Sequence, residues 1–203
     1  VEHPGQEEAA RRALCLGALV MRGKFESVAA SATPQMHVVH EELATQLSIW
    51  IADEGLIAAQ STSEKLLISK GLGSWSRQEL IDVAWRANAL GAILWSLSRF
   101  DELPPWDRQF TAQETIKPLN LFTPVENFIE TAKLRPPAEI ESARDLAELW
   151  HWRSRERRRQ EEGDYSEMTS IAIERHYALN WLCGYAEDWD SVPTETRPGP
   201  GGA

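Results

Sequence analysis

Between Arg77 and Phe100 the chain has helical periodicity, yet from Ala87 to Leu97 it is apolar on nearly every side, broken only by Asn88, Gly91 and Ser96. A helix with one apolar stripe lies on a surface, whereas one that is apolar all round must be wrapped by its neighbours. Ser76 stands at the N-cap position with Glu79 three residues on, the pattern of a capping box, so the start of this helix is specified as well. No stretch shows the sustained period-two alternation rich in Val, Ile and Thr that a sheet requires. The segment therefore predicts a mostly α, single-domain helical bundle of about six to seven helices around a central apolar helix at about 77–100.

The flanking helices follow from the same periodicity. Gln6 to Val20 carries Ala10, Leu14 and Ala18 on one face and is expected to end near Gly23. His37 to Asp53 presents Leu43, Leu47, Trp50 and Ile51, with Gly55 as its stop. Ser61 to Ser63 ahead of Glu64 offers N-cap chemistry for a short helix through Ile68. A short helix from Val125 to Ala132 lies in a stretch punctuated by Pro118 and Pro124. Pro136-Pro137 opens a long helix from about Ala138 to Gln160, and after a break at Gly163 the last helix runs from Glu167 to Tyr185. The domain is expected to span 6–196, with 197–203 a disordered Gly/Pro tail.

Charge narrows the function classes. With 31 acidic against 21 basic residues the net charge is −10, which argues against a nucleic-acid binder or an anionic-membrane binder, since either needs a basic face. The one basic run, Arg153 to Arg159, reads as the polar end of a helix, where cations complement the C-terminal dipole. Cys15 and Cys183 form neither a CxxC nor a Cys/His ligand set, which fits a reducing compartment, and no run approaches the length needed to span a bilayer. A soluble, cytoplasmic protein is expected. No P-loop, GxGxxG, GxSxG or HExxH is present, so no cofactor or nucleophile motif is indicated.

The segment Trp85-Arg86-Ala87-Asn88-Ala89-Leu90, continuing through Ile93-Leu94-Trp95-Ser96-Leu97 and Glu102-Leu103-Pro104, resembles the core of the bacterial domain of unknown function DUF4272. Glu139-Ile140, Asp145-Leu146 and His151-Trp152 fall at the spacing of that family's long helix. Glu174 to Leu182 and Trp189 to Thr196 resemble its C-terminal signature. The resemblance implies a fold family and supplies no mechanism. Two departures stand out: Asn88 occupies a position where the family usually has Glu, and Glu148-Leu149 one where it has Tyr-Arg.

The candidate polar residues are Arg86, Asn88, Asp145, His151, Glu174, Arg175, His176 and Asp190. Arg175 shares a face with Ile171, Ala178, Leu179 and Leu182, so its guanidinium needs a partner near the core. A buried ion pair with Asp145, Glu139 or Asp190 is favoured over a ligand-binding role. His151 and His176 could serve as acid and base with Glu174 or Asp145 orienting them, although a hydrogen-bonded structural role is the commoner fate. Asn88 is expected inside the bundle, anchoring a polar network or lining a pocket. His37, His40 and Glu41 have a helical spacing that a metal could use, but no further ligands follow, and no metal is assigned.

Two function classes remain. The favoured one is a binding or interaction protein whose acidic surface suits a basic protein partner, an immunity or antitoxin role being one concrete form. The other is an enzyme of hydrolase-like type with a polar pocket between the central and C-terminal helices. The nine Trp beside five Phe and three Tyr read mainly as core wedges, Trp50 and Trp150 lying on inward stripes. Trp75 and Trp106, among glycines and prolines, are left as candidates for a binding surface.

Overall fold

Among the described residues eight α-helices follow one another: α1 (Gln6–Ala29), α2 (Pro34–Asp53), α3 (Thr62–Ser69), α4 (Arg77–Ser96), α5 (Ala112–Ile116), α6 (Glu126–Glu130), α7 (Pro137–Arg159) and α8 (Ser166–Leu182). The computed structural model describes residues 3–160 and 166–196, and no strand occurs among them. The expected break at Gly163 and the 197–203 tail lie outside the described residues.

The long helices form a row in which α2 packs on α1, α1 on α4, α4 on α8 and α8 on α7. The apolar helix thus sits mid-row, and every residue from Ala87 to Ser96 is buried. It shares the centre with α1, whose buried positions run from Ala9 to Glu26. Leu14, Leu16, Leu47, Leu90, Ile93, Leu94 and Leu179 are fully buried at this seam, each worth about 1.5–3 kcal/mol of apolar transfer.

Local chemistry sets the helix starts. Ser76 Oγ accepts from Glu79 N at 3.2 Å while Glu79 Oε2 accepts from Ser76 N at 2.7 Å, completing the expected capping box. Ser61 and Glu64 form another at α3, and Thr111 with Glu114 a third at α5, a helix the sequence reading did not foresee. Gly55, at φ 65°, ends α2 in the left-handed region that favours glycine.

Gly23 does not end α1, as expected, but lies inside it. A Cβ there would meet Val83 Cγ1 at 2.9 Å and Trp75 at 3.5 Å, so the glycine serves close approach and α1 continues to Ala29. At the other end of α4 the helix stops at Ser96 rather than Phe100. Arg135 covers that end, its Nε donating to Trp95 O and its Nη2 to Phe100 O and Asp101 O, each at 2.8 Å. The basic run closes α7, with Arg157, Arg158 and Arg159 in its last turn.

Candidate functional site

The polar residues anticipated from the sequence are dispersed. Arg86 pairs with Glu174 at 3.1 Å beneath the Tyr177 ring. Asn88 is buried as expected, its Oδ1 accepting from Phe110 N at 2.9 Å and its Nδ2 donating to Trp85 O at 3.3 Å. A carboxylate at position 88 could accept from Phe110 but would lack the donor for Trp85. Asp145 is exposed and pairs with its neighbour Arg144. Asp190 accepts from Ser63 N at 2.8 Å and Ser63 Oγ at 2.6 Å, fastening the C-terminal turn to the start of α3. Against the upward push of burial, those bonds hold its carboxyl below the usual range.

Arg175 corrects the expectation of an ion pair. Its Nη1 donates to Pro104 O at 2.8 Å and Pro105 O at 3.2 Å, and its Nη2 to Arg108 O at 2.5 Å. The partners are carbonyls of the 97–111 connection, so the residue pins that segment to α8. Neither Asp145, Glu139 nor Asp190 reaches it. Burial first, then Arg108, lowers its pKa to about 10, leaving it cationic at neutral pH.

The two histidines do meet. His151 Nδ1 and His176 Nδ1 are 3.2 Å apart in the α7–α8 seam. Asn180 explains which nitrogen carries the proton. Its Oδ1 accepts from Arg144 Nε at 2.8 Å, so its amide NH2 faces both Pro193 O at 2.7 Å and His176 Nε2 at 3.0 Å. His176 Nε2 is thereby the acceptor, and its Nδ1–H donates to His151. Neither Glu174 nor Asp145, the carboxylates that the acid–base alternative would use, orients the pair; Arg144, held by Glu148 at 3.0 Å, does so through Asn180. Burial lowers both pKa values to about 4 and keeps the imidazoles neutral.

A large concavity lies elsewhere, where the first turns of α1 meet the 58–61 turn and the C-terminal signature. This cleft, of about 530 Å³, is lined by Glu7, Glu8, Arg11, Arg12, Gln60, Ser61, Trp181, Glu187, Asp188 and Trp189, among others. Its floor is built from the α3 cap outward. Glu64 Oε2 accepts from Ser61 N at 2.9 Å and also from Arg12 Nη2. Arg12 lies over the Trp189 ring, 5.1 Å from its centroid, and Tyr177 Oη holds the Trp189 carbonyl from behind. Trp181 meets Trp189 edge-on at 5.6 Å.

This floor leaves hydrogen-bonding capacity unused. Arg12 Nε, Gln60 Nε2 and Glu64 Oε1 are buried without a partner, and Arg12 and Gln60 are 4% and 8% exposed. Buried polar atoms are normally satisfied, so three together are unusual. Below them the Cys15 thiol, pushed up to about 12 by burial, donates to Leu56 O and is no nucleophile. The rim carries Glu7, Glu8, Glu187 and Asp188, all exposed; Glu7 is paired with Arg11 at 3.0 Å.

The sequence reading missed Arg12, Gln60 and Arg144. A usable signal existed for the first, because Arg12 shares its helical face with Ala9, Cys15 and Leu16. The floor of the cleft thus combines the unpartnered donors of Arg12 and Gln60 with the indoles of Trp181 and Trp189.

The profile of the family described as "Domain of unknown function (DUF4272)" matches residues 1–192. The chain belongs to the DUF4272 family. No curated protein and no solved structure matches it. DUF4272 membership covers every residue of the cleft, the histidine pair and the Arg175 anchor. Among the described residues no group of three or more His, Cys, Asp or Glu side chains comes together as a metal-ligand set. No described helix is long and apolar enough to cross a membrane.

Proposed function

We propose that this protein is a binding protein whose cleft receives a cationic segment of a protein partner. The observation that carries the reading is the pairing of an acidic rim with an indole floor. Glu8, Glu187 and Asp188 stand exposed around Trp181 and Trp189, an arrangement that attracts a Lys or Arg side chain electrostatically and receives its stem on an aromatic face. Arg12 and Gln60, which line the cleft, each carry a donor without a protein partner.

Support also comes from where the other candidate polar groups lie. The His151–His176 pair, Asn88 and Asp190 are engaged by protein partners in three separate places, and none of them lines the cleft. Titration with a short Arg- and Lys-containing peptide, followed by calorimetry, tests the reading. Glu187→Lys together with Glu8→Lys should weaken binding by about tenfold at low salt, with the wild-type affinity falling as ionic strength rises. Binding that ignores both charge reversal and salt would overturn it.

A further inference from the structure

A second concavity, distinct from the cleft, lies between α7, α8 and the Leu103–Trp106 stretch. It measures about 260 Å³, and Arg175 is the sole charged residue in its lining; the rest is apolar or aromatic, with Pro105, Trp106, Ala143, Leu146 and Trp150 prominent. Trp106 and Trp150 stack face to face, 4.1 Å between centroids and 10° from parallel, so each covers one indole face of the other and the pair borders the cavity as a rigid aromatic unit. Trp106, left as a candidate for a binding surface, thus belongs to this lining, whereas Trp75 is buried with its Nε1 donating to Leu67 O.

Arg175 is unusual among the buried arginines here. Arg12 faces Glu64, Arg22 faces Glu26 at 2.5 Å and Arg144 faces Glu148. Arg175, 6% exposed, has three carbonyl oxygens as its hydrogen-bond partners and the Phe110 ring 5.6 Å from its guanidinium, and its Nε has no partner. Arg108, the cation beside it, is itself taken by Glu114. Asp107 and the Phe110 ring offset part of the Arg175 charge, but Arg175 has no carboxylate paired with it as the other three have, and a carboxylate brought to it would add a charge-assisted bond.

We propose that this pocket binds a small aromatic monocarboxylate, its carboxylate on the Arg175 guanidinium and its ring against the stacked Trp106–Trp150 pair. Size agrees with the chemistry. At the ~30 Å³ that a water molecule occupies in the liquid, the pocket holds about nine heavy atoms, the size of benzoate. The ring gains apolar burial against Pro105, Ala143 and Leu146, and the carboxylate gains a desolvated cation that is already positioned. The site is separate from the acidic cleft, whose rim would repel the same ligand.

The experiment is a calorimetric and tryptophan-fluorescence titration of the full chain with benzoate, benzamide and acetate. Saturable benzoate binding is expected, with the neutral amide at least about tenfold weaker and acetate weaker still. Arg175→Gln should abolish the preference for benzoate over benzamide. Because that change also frees the 97–111 connection, Leu146→Asp serves as the second variant: the residue is 54% exposed at the pocket mouth, and a carboxylate there should weaken benzoate several-fold while leaving the melting temperature unchanged. Equal affinity for acid and amide, no saturation by about 10 mM, indifference to Leu146→Asp, or sensitivity of benzoate binding to Glu187→Lys would each overturn the proposal.

Discussion

The α7–α8 seam and the α1 cleft are both buried, both polar and both built around an arginine, yet they are finished to different degrees. In the seam each donor finds an acceptor in turn: Arg144 gives to Asn180, Asn180 to His176 and Pro193, and His176 to His151. In the cleft the Arg12–Glu64 pair and Gln60 keep an unused atom each. A closed chain of this kind rigidifies, since removing any member strands the next; an open one retains capacity for something else. The difference separates polar groups whose hydrogen bonds are closed within the fold from groups whose capacity is left open.

Acid should break the seam first and by the most. Both imidazoles have folded pKa values of about 4, below the ~6.5 of an unfolded chain. The unfolded state therefore binds more protons between pH 6.5 and pH 4. Their contribution is complete above pH 6.5 and is lost as pH falls towards 4, by up to about 1.4 kcal/mol per unit for each histidine. Denaturant unfolding at a series of pH values should show this slope. His151→Gln, which keeps an acceptor for His176 Nδ1, should remove roughly half of it; an unchanged slope would mean that the pair is not the acid-sensitive element.

Next in size is Asn180→Leu. It strands Arg144 Nε, His176 Nε2 and the Pro193 carbonyl together, a cost of about 2–4 kcal/mol, read as a lower urea midpoint at constant m-value. A loss under about 0.5 kcal/mol would show that the chain of bonds contributes little. Gly91→Ala follows at about 1–3 kcal/mol. A Cβ there would fall 2.2–2.5 Å from atoms of the Phe110 ring, and that ring is fixed by Asn88 at its backbone and by Phe100 stacked 5.4 Å away. Unchanged thermal stability in the alanine variant would sink this account of the glycine.

How much of this was legible depends on where each partner lies. The wrapped helix, its capping box and the burial of Asn88 could all be read from local pattern, because each is decided within a few turns of one segment. The partner of Asn88 could not, since Phe110 N lies 22 residues away in a connection without periodicity. Arg175 shows the limit most clearly. Its burial was evident from Ile171, Ala178 and Leu179, but a search among carboxylates overlooks backbone carbonyls, which every residue carries and no residue type advertises. Gly23 misled for a related reason: a glycine that admits Val83 and one that ends a helix look alike until the neighbouring helix is in place.

The smallest predicted effect sharpens the contrast most. Gln60→Leu removes a buried amide whose Nε2 has no partner, so little hydrogen bonding is lost and the desolvation cost of that nitrogen disappears. Stability should stay within about 0.5 kcal/mol of the wild type or rise slightly, where the equally buried Asn180 loses several times as much. Peptide binding in the cleft should weaken in the same variant. If Gln60→Leu instead unfolds the protein as Asn180→Leu does, Gln60 is a structural tie like those of the seam, and the floor of the cleft loses its claim to recognition. If stability holds while peptide affinity falls, the two regions are distinguished by a single pair of amide-to-leucine changes.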